Sequence, residues 1–124
     1  MPRYFTLEQA NLTLEIIRPL VREALEIRHK LLELQPELAP VLQNLLGNGG
    51  NWAGSQAALE FGQLQAIIGQ INATGAVLKD INSGLVDFLA RREGRDVYLC
   101  WRYDEGQVSH WHDLDTGFAG RQAI

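Results

Sequence analysis

GLVDFLARREGRDVYLCWRYDEGQVSHWHD, residues 84–113, decides the fold. Its apolar residues fall on every second position, the period of a strand with one buried face. Leu85 to Arg91 and Arg95 to Arg102 read as two strands. Between them Arg92-Glu93-Gly94-Arg95 suits a hairpin closed by a two-residue Glu-Gly turn, although Asn or Asp is more usual ahead of the glycine. That turn places Val86, Phe88, Ala90, Val97, Leu99 and Trp101 on one face, apolar throughout and fit to pack on helices. The other face carries Asp87, Leu89, Arg91, Asp96, Tyr98, Cys100 and Arg102, with Asp87 opposite Cys100. A third strand, Val108 to His112, follows a loop at Asp104-Glu105-Gly106. With a three-residue loop and Gly106 left-handed, Trp111 joins Trp101 in the core, and His110 and His112 join Asp87, Tyr98 and Cys100. A two-residue loop would turn the histidines inward. The first register is preferred because it buries tryptophan and leaves the imidazoles out.

Upstream the period is helical. Thr6 can cap a helix while Gln9 reaches back to it, the pattern of a capping box. Ala10, Leu14, Ile17, Val21, Ala24, Leu31, Leu38, Leu42 and Leu45 form an apolar stripe interrupted by Arg28 and Gln35. Pro19 removes a backbone donor within the stripe, as do Pro36 and Pro40, so a kink is expected near 19 and a break or kink near 36. About 39 helical residues would extend roughly 58 Å, whereas a compact chain of this size has a radius of gyration near 14 Å. The stripe is therefore expected to overhang its domain or to join two copies. Ala57, Phe61, Leu64, Ile68, Ile71, Gly75 and Leu78 predict a second helix that folds back on the first.

The expected fold is α+β: a kinked antiparallel helical hairpin packed against a three-stranded antiparallel sheet. One domain over 1–124 would comprise a helical region (1–46), a Gly/Asn loop (47–54), a second helix (55–79), the sheet (84–112) and a turn and tail (113–124). The loop does not suit a phosphate, because its glycines follow a helix and lack the Lys and Ser or Thr of a phosphate-binding loop.

The chain has 124 residues, 46% hydrophobic and 21% charged, as in an ordinary globular domain with a real core. A formal charge of −4 disfavours a nucleic-acid partner. The one basic cluster, Arg91, Arg92 and Arg95, is diluted by Glu93 and Asp96. From Asp104 to Asp115 there are carboxylates and no Lys or Arg, so a ligand of that strip would be cationic or metallic. Cys100 is the single cysteine, nothing at the N-terminus resembles a signal peptide, and no apolar run reaches the length of a membrane span, so a cytoplasmic location is expected.

Chemistry concentrates at the end of the sheet. Asp87, Cys100, His110 and His112 share one face in the preferred register and are zinc or iron ligand types, so a divalent metal is the cofactor to consider. An ordinary polar sheet face explains the same residues. His112 and Asp115, with Asp87 nearby, could instead form a general acid and base pair, or merely close a turn ahead of Gly117. Arg121, within GFAGR, could receive an anion or pair with Asp115 or Asp87. Cys100, mid-strand beside Trp101, reads as a buried thiol before a nucleophile.

Four stretches, YFTLEQAN at 4–11, GLVDF at 84–88, YLCW at 98–101 and WHDLDTGFAGR at 111–121, resemble a bacterial family of small uncharacterised proteins, domain of unknown function 2203. With the helices between them they span nearly the whole chain. The resemblance falls on Asp87, Cys100, Trp101, His112, Asp115, Gly117, Phe118, Gly120 and Arg121, and it favours His112 over His110. Members usually carry proline after GLVDF, where this chain has Leu89. The resemblance implies no particular activity.

Two functions are expected. The first is a structural or interaction protein that self-associates through its helical stripe or recruits another coiled-coil partner. The second is a metal-binding or hydrolytic protein with its site around Asp87, His112, Asp115 and Arg121.

Overall fold

The computed structural model describes residues 3–46 and 57–124. The expected loop at 47–54 and the first two residues of the expected second helix lie outside them.

The first helix, α1 (Leu7–Leu34), begins as its sequence dictates. Thr6 Oγ1 accepts from the Gln9 amide at 3.1 Å and the Thr6 amide donates to Gln9 Oε1 at 3.0 Å. The helix runs on through Pro19, an exposed position where water can satisfy the carbonyl that proline leaves without a donor. It ends at Gln35, immediately before Pro36, because the residue ahead of a proline is driven out of the helical region. A 3-10 turn (Pro36–Leu38), the short helix α2 (Ala39–Gln43) and a second 3-10 turn (Asn44–Leu46) follow. The long helical region is thus broken at Pro36 as expected, while α1 is continuous through Pro19 and Pro40 sits in the first turn of α2.

The next helix, α3 (Ala58–Ala73), is shorter than the expected 55–79. Gly75, with φ +96, takes the left-handed conformation just past a helix end that L-residues disfavour. Residues beyond it turn into strand β1 (Val77–Asp80). Leu78 is buried as the helical spacing requires, but from a strand. The helical count continued past 75 only because its position coincided with a strand's inward face.

The sheet corrects the expected fold in number: among the described residues it has five strands, not three, and three helices accompany it. Strands β2 (Leu85–Arg92), β3 (Arg95–Arg102) and β4 (His110–Asp113) are the three expected, and β1 and β5 (Gln122–Ala123) flank them in the order β1-β2-β3-β4-β5. Each neighbouring pair is antiparallel. β5 escapes a pattern reading because two exposed residues carry no period. Asp87 pairs with Cys100 as expected, across a turn in which Glu93 and Gly94 both have positive φ, 54° and 80°. β3 and β4 adopt the preferred register, Leu99 opposite Trp111 and Cys100 opposite His110. The connection between them runs from 103 to 109, and Gly106 is not left-handed.

One buried cluster gathers the inward face of α1, α2, α3 and the apolar face of the sheet, with Trp101 and Phe88 among its largest members. Ile27 is buried beside Arg28, which interrupts the stripe in sequence and donates to Asn82 Oδ1 at 2.8 Å. Val21 and Leu31, 1% exposed each, are covered by the chain's own core. Two α1 side chains then reach the β3–β4 connection: Asn11 Oδ1 accepts from the Val108 amide at 2.8 Å, and the Arg18 guanidinium donates to the carbonyls of Glu105 and Gly106. These contacts place Glu105 beside the site described next.

Candidate metal centre

The sheet face turned away from the helices carries buried polar residues. Asp87, Cys100 and His112 are 3%, 0% and 2% exposed; burial is ordinary for a thiol but unusual for a carboxyl and an imidazole unless they are paired or hold an ion. The strand period puts Asp87 of β2 opposite Cys100 of β3, and His112 of β4 one pair further along, beside Tyr98. His112 and Asp87 thus sit on strands separated by β3. Neighbouring strands lie about 4.8 Å apart, so these side chains must bridge about 10 Å between their backbones. They meet because the residue between them, Cys100, is small. Donor atoms of all three residues lie within 4.8 Å of one another.

His112 is held from both sides. Its Nδ1–H donates to the Asp113 carbonyl at 2.7 Å, and its Nε2 faces the Asp87 carboxylate, 3.1 and 3.2 Å from the two oxygens. The carbonyl can only accept, so Nδ1 carries a proton and Nε2 is left for the carboxylate side. Two arrangements satisfy Nε2 there: a proton shared with the Asp87 carboxyl, or a metal ion that both groups coordinate. A backbone carbonyl that fixes the tautomer and orientation of an imidazole is the usual support of a histidine ligand. The Tyr98 ring packs against the imidazole with centroids 5.6 Å apart.

Burial, and next the Asp87 carboxylate, push the Cys100 thiol up to about 12, while the Arg121 charge acts in the opposite direction. Without a metal the thiol is neutral at ordinary pH and a poor nucleophile; coordination would ionise it.

The remaining expected residues are placed differently. His110 lies opposite Cys100, but its Nδ1 is 3.0 Å from Ser109 Oγ and 3.6 Å from Glu105 Oε2, outside the three-residue cluster. Asp115 is exposed on the turn after β4, and the contact expected of it is made by the Asp113 backbone, one residue from His112. Arg121 pairs with neither Asp115 nor Asp87. Its Nη2 donates to both Glu105 oxygens at 2.7 Å, and reaches the Cys100 carbonyl at 3.5 Å. Glu105 is the residue a sequence reading misses: it lies in a loop without a period, and α1 and the β4–β5 pairing together bring it to Arg121. Its one local signal is position, three residues after Arg102, whose amide donates to Glu105 Oε1 at 2.8 Å.

Among the described residues no helix is long and apolar enough to cross a membrane. The family model DUF2203, uncharacterized conserved protein, matches residues 3–124, and the chain belongs to that family. No curated protein and no solved structure matches it.

Proposed function

We propose that this DUF2203 member is a metal-binding protein in which Asp87, Cys100 and His112 hold one divalent transition metal, with zinc the best fit. The observation that carries the reading is the convergence of a carboxylate, a thiol and a tautomer-fixed imidazole within 4.8 Å, all buried. Two nitrogen or oxygen ligands about 2.0 Å from one tetrahedral zinc stand about 3.3 Å apart, close to the 3.1 and 3.2 Å between Nε2 and the Asp87 oxygens. Thiolate and imidazole together favour zinc or iron over magnesium or calcium, which take oxygen.

The test is zinc titration of chelator-treated protein, followed by calorimetry and by metal analysis after gel filtration. One zinc per chain is expected, with binding lost in Asp87→Asn, Cys100→Ser and His112→Gln and kept in His110→Gln. Zinc at 100 times its dissociation constant would stabilise the fold by about 2.7 kcal/mol. Substoichiometric uptake that Asp87→Asn leaves unchanged would overturn the reading.

A second reading, self-association, has its own observation. The stripe that suggested it is covered within the chain, but Leu12 and Ile16 stand one turn apart on the outer face of α1, 60% and 59% exposed. Sedimentation equilibrium should give a multimer that Leu12→Glu with Ile16→Glu reduces to single chains; a monomer before substitution would dismiss the reading.

A further inference from the structure

Three residues leave a tetrahedral metal one position short when each gives a single donor, as in catalytic sites that hold water there. Among the described residues the cluster stops at three residues, since His110 is engaged with Ser109 and Glu105. Asp87, however, presents both of its oxygens. They stand 3.1 and 3.2 Å from His112 Nε2, so neither is set forward of the other. Carboxylates bind metals through one oxygen or through two. Bonds of about 2.1 Å to Nε2 and to each oxygen fit these gaps with an Nε2–metal–oxygen angle of about 100°, the ion lying off the line between imidazole and carboxylate. Cys100 lies on the strand between them, and its thiolate completes four donors from three residues.

The surroundings suit a filled shell. All three residues are buried, and the Tyr98 ring packs on the imidazole. A divalent ion is neutralised by the Asp87 carboxylate and the Cys100 thiolate. The adjacent Arg121, which reaches the Cys100 carbonyl, is balanced by Glu105 at 2.7 Å. These charges already sum to zero. An anion added as a further ligand would leave a net charge away from water, which is costly.

Resting on the metal reading above, we propose that the site is closed: Asp87 chelates through both oxygens, no position is exchangeable, and the metal fastens the edge of the sheet instead of activating water. The ion joins β2 to β4 across β3. β4 has four residues and β5 two, both exposed, whereas β2 and β3 have eight each, so the β4–β5 edge is the part of this sheet that opens at least cost. With metal bound, opening β4 must withdraw His112 from the ion. Metal supply thereby sets how firmly this edge is held.

Cobalt(II) tests the closure. The chelator-treated protein is loaded with cobalt(II), and its electron paramagnetic resonance is recorded in ordinary water and in water enriched in the magnetic isotope of oxygen, which broadens the lines of any metal that carries water. No broadening is expected. Asp87→Cys keeps the ligand charge but offers one donor, so its cobalt form should take up water and broaden. Broadening in the parent would overturn the closure and leave the metal site standing. A cobalt-loaded Asp87→Cys protein without broadening would also overturn it, because the second oxygen would then not be what fills the shell. The fastening is read in the parent, whatever the variant does. Zinc at 100 times its dissociation constant should slow hydrogen exchange of the β4 amides about a hundredfold, and exchange there that zinc leaves unchanged would overturn that role. Failure to take up cobalt with a thiolate band would sink the metal reading itself.

Discussion

Removing the His112 imidazole from the metal-free protein should be among the most damaging single changes on the sheet. His112→Ala deletes the donor to the Asp113 carbonyl and the group facing both Asp87 oxygens. Asp87, 3% exposed, is left without the imidazole that faces both of its oxygens. Breaking a buried pair of this kind by removing one partner costs about 3–5 kcal/mol, against a total stability of about 5–15 kcal/mol for a domain. With a urea slope of about 2 kcal/mol/M, the unfolding midpoint should fall by about 2 M. Asp87→Ala should do comparable harm by stranding the imidazole. The combined variant strands neither partner, so its loss should be smaller than the sum of the two by about 1–3 kcal/mol. Urea unfolding followed by circular dichroism, in the presence of chelator, measures all four corners of this cycle. If either alanine variant fails to fold, Asp87→Asn and His112→Gln give the same cycle with shape preserved. Losses that add to within about 0.5 kcal/mol would refute the pairing.

The Cys100 thiol, pushed up to about 12 from an ordinary 9.0, should remain protonated at pH 9 in the folded metal-free protein. Iodoacetamide should then alkylate it far more slowly than in urea-unfolded chains, and equal rates would contradict its burial. Because the unfolded thiol ionises first, this group's contribution to stability is full below pH 9.0 and disappears as pH rises toward 12, a fall that Cys100→Ala should blunt. Gly84 has φ +71, and an added Cβ would lie 2.9 Å from Tyr103 Cβ and 3.0 Å from Val21 Cγ1. Gly84→Ala should lose about 1–3 kcal/mol, and a neutral thermal melt would show that the start of β2 yields more easily than its packing suggests. Glu93, at φ 54, holds the position of the hairpin turn that Asn or Gly tolerates better. Glu93→Asn should raise stability by about 0.5–1 kcal/mol, and a lower melting temperature would mean that its side chain contributes something beyond the turn.

The first helix, its cap and its end at Pro36, the β2–β3 hairpin and the shared face of Asp87, Cys100 and His112 were all legible in the sequence. Each depends on a local rule: a side chain that reaches a backbone three residues away, a proline, or a period of two that fixes which residues face together. Three things were not legible. Strand β1 continued the inward spacing of α3, so only the left-handed Gly75 separates helix from strand. β5 is a two-residue strand defined by its neighbour rather than by its composition. The partners of the site residues are non-local: Asp113 offers its carbonyl where Asp115 was expected, and Glu105 reaches Arg121 because Asn11 and Arg18 hold its loop against α1.

By itself, then, the sequence determined which side chains share a face of the sheet, because alternation leaves an extended chain no other choice. Only the tertiary structure decided which of them touch. Contact across β3 depends on a small residue at 100, on the register of three strands, and on a helix that anchors a loop far from it in sequence.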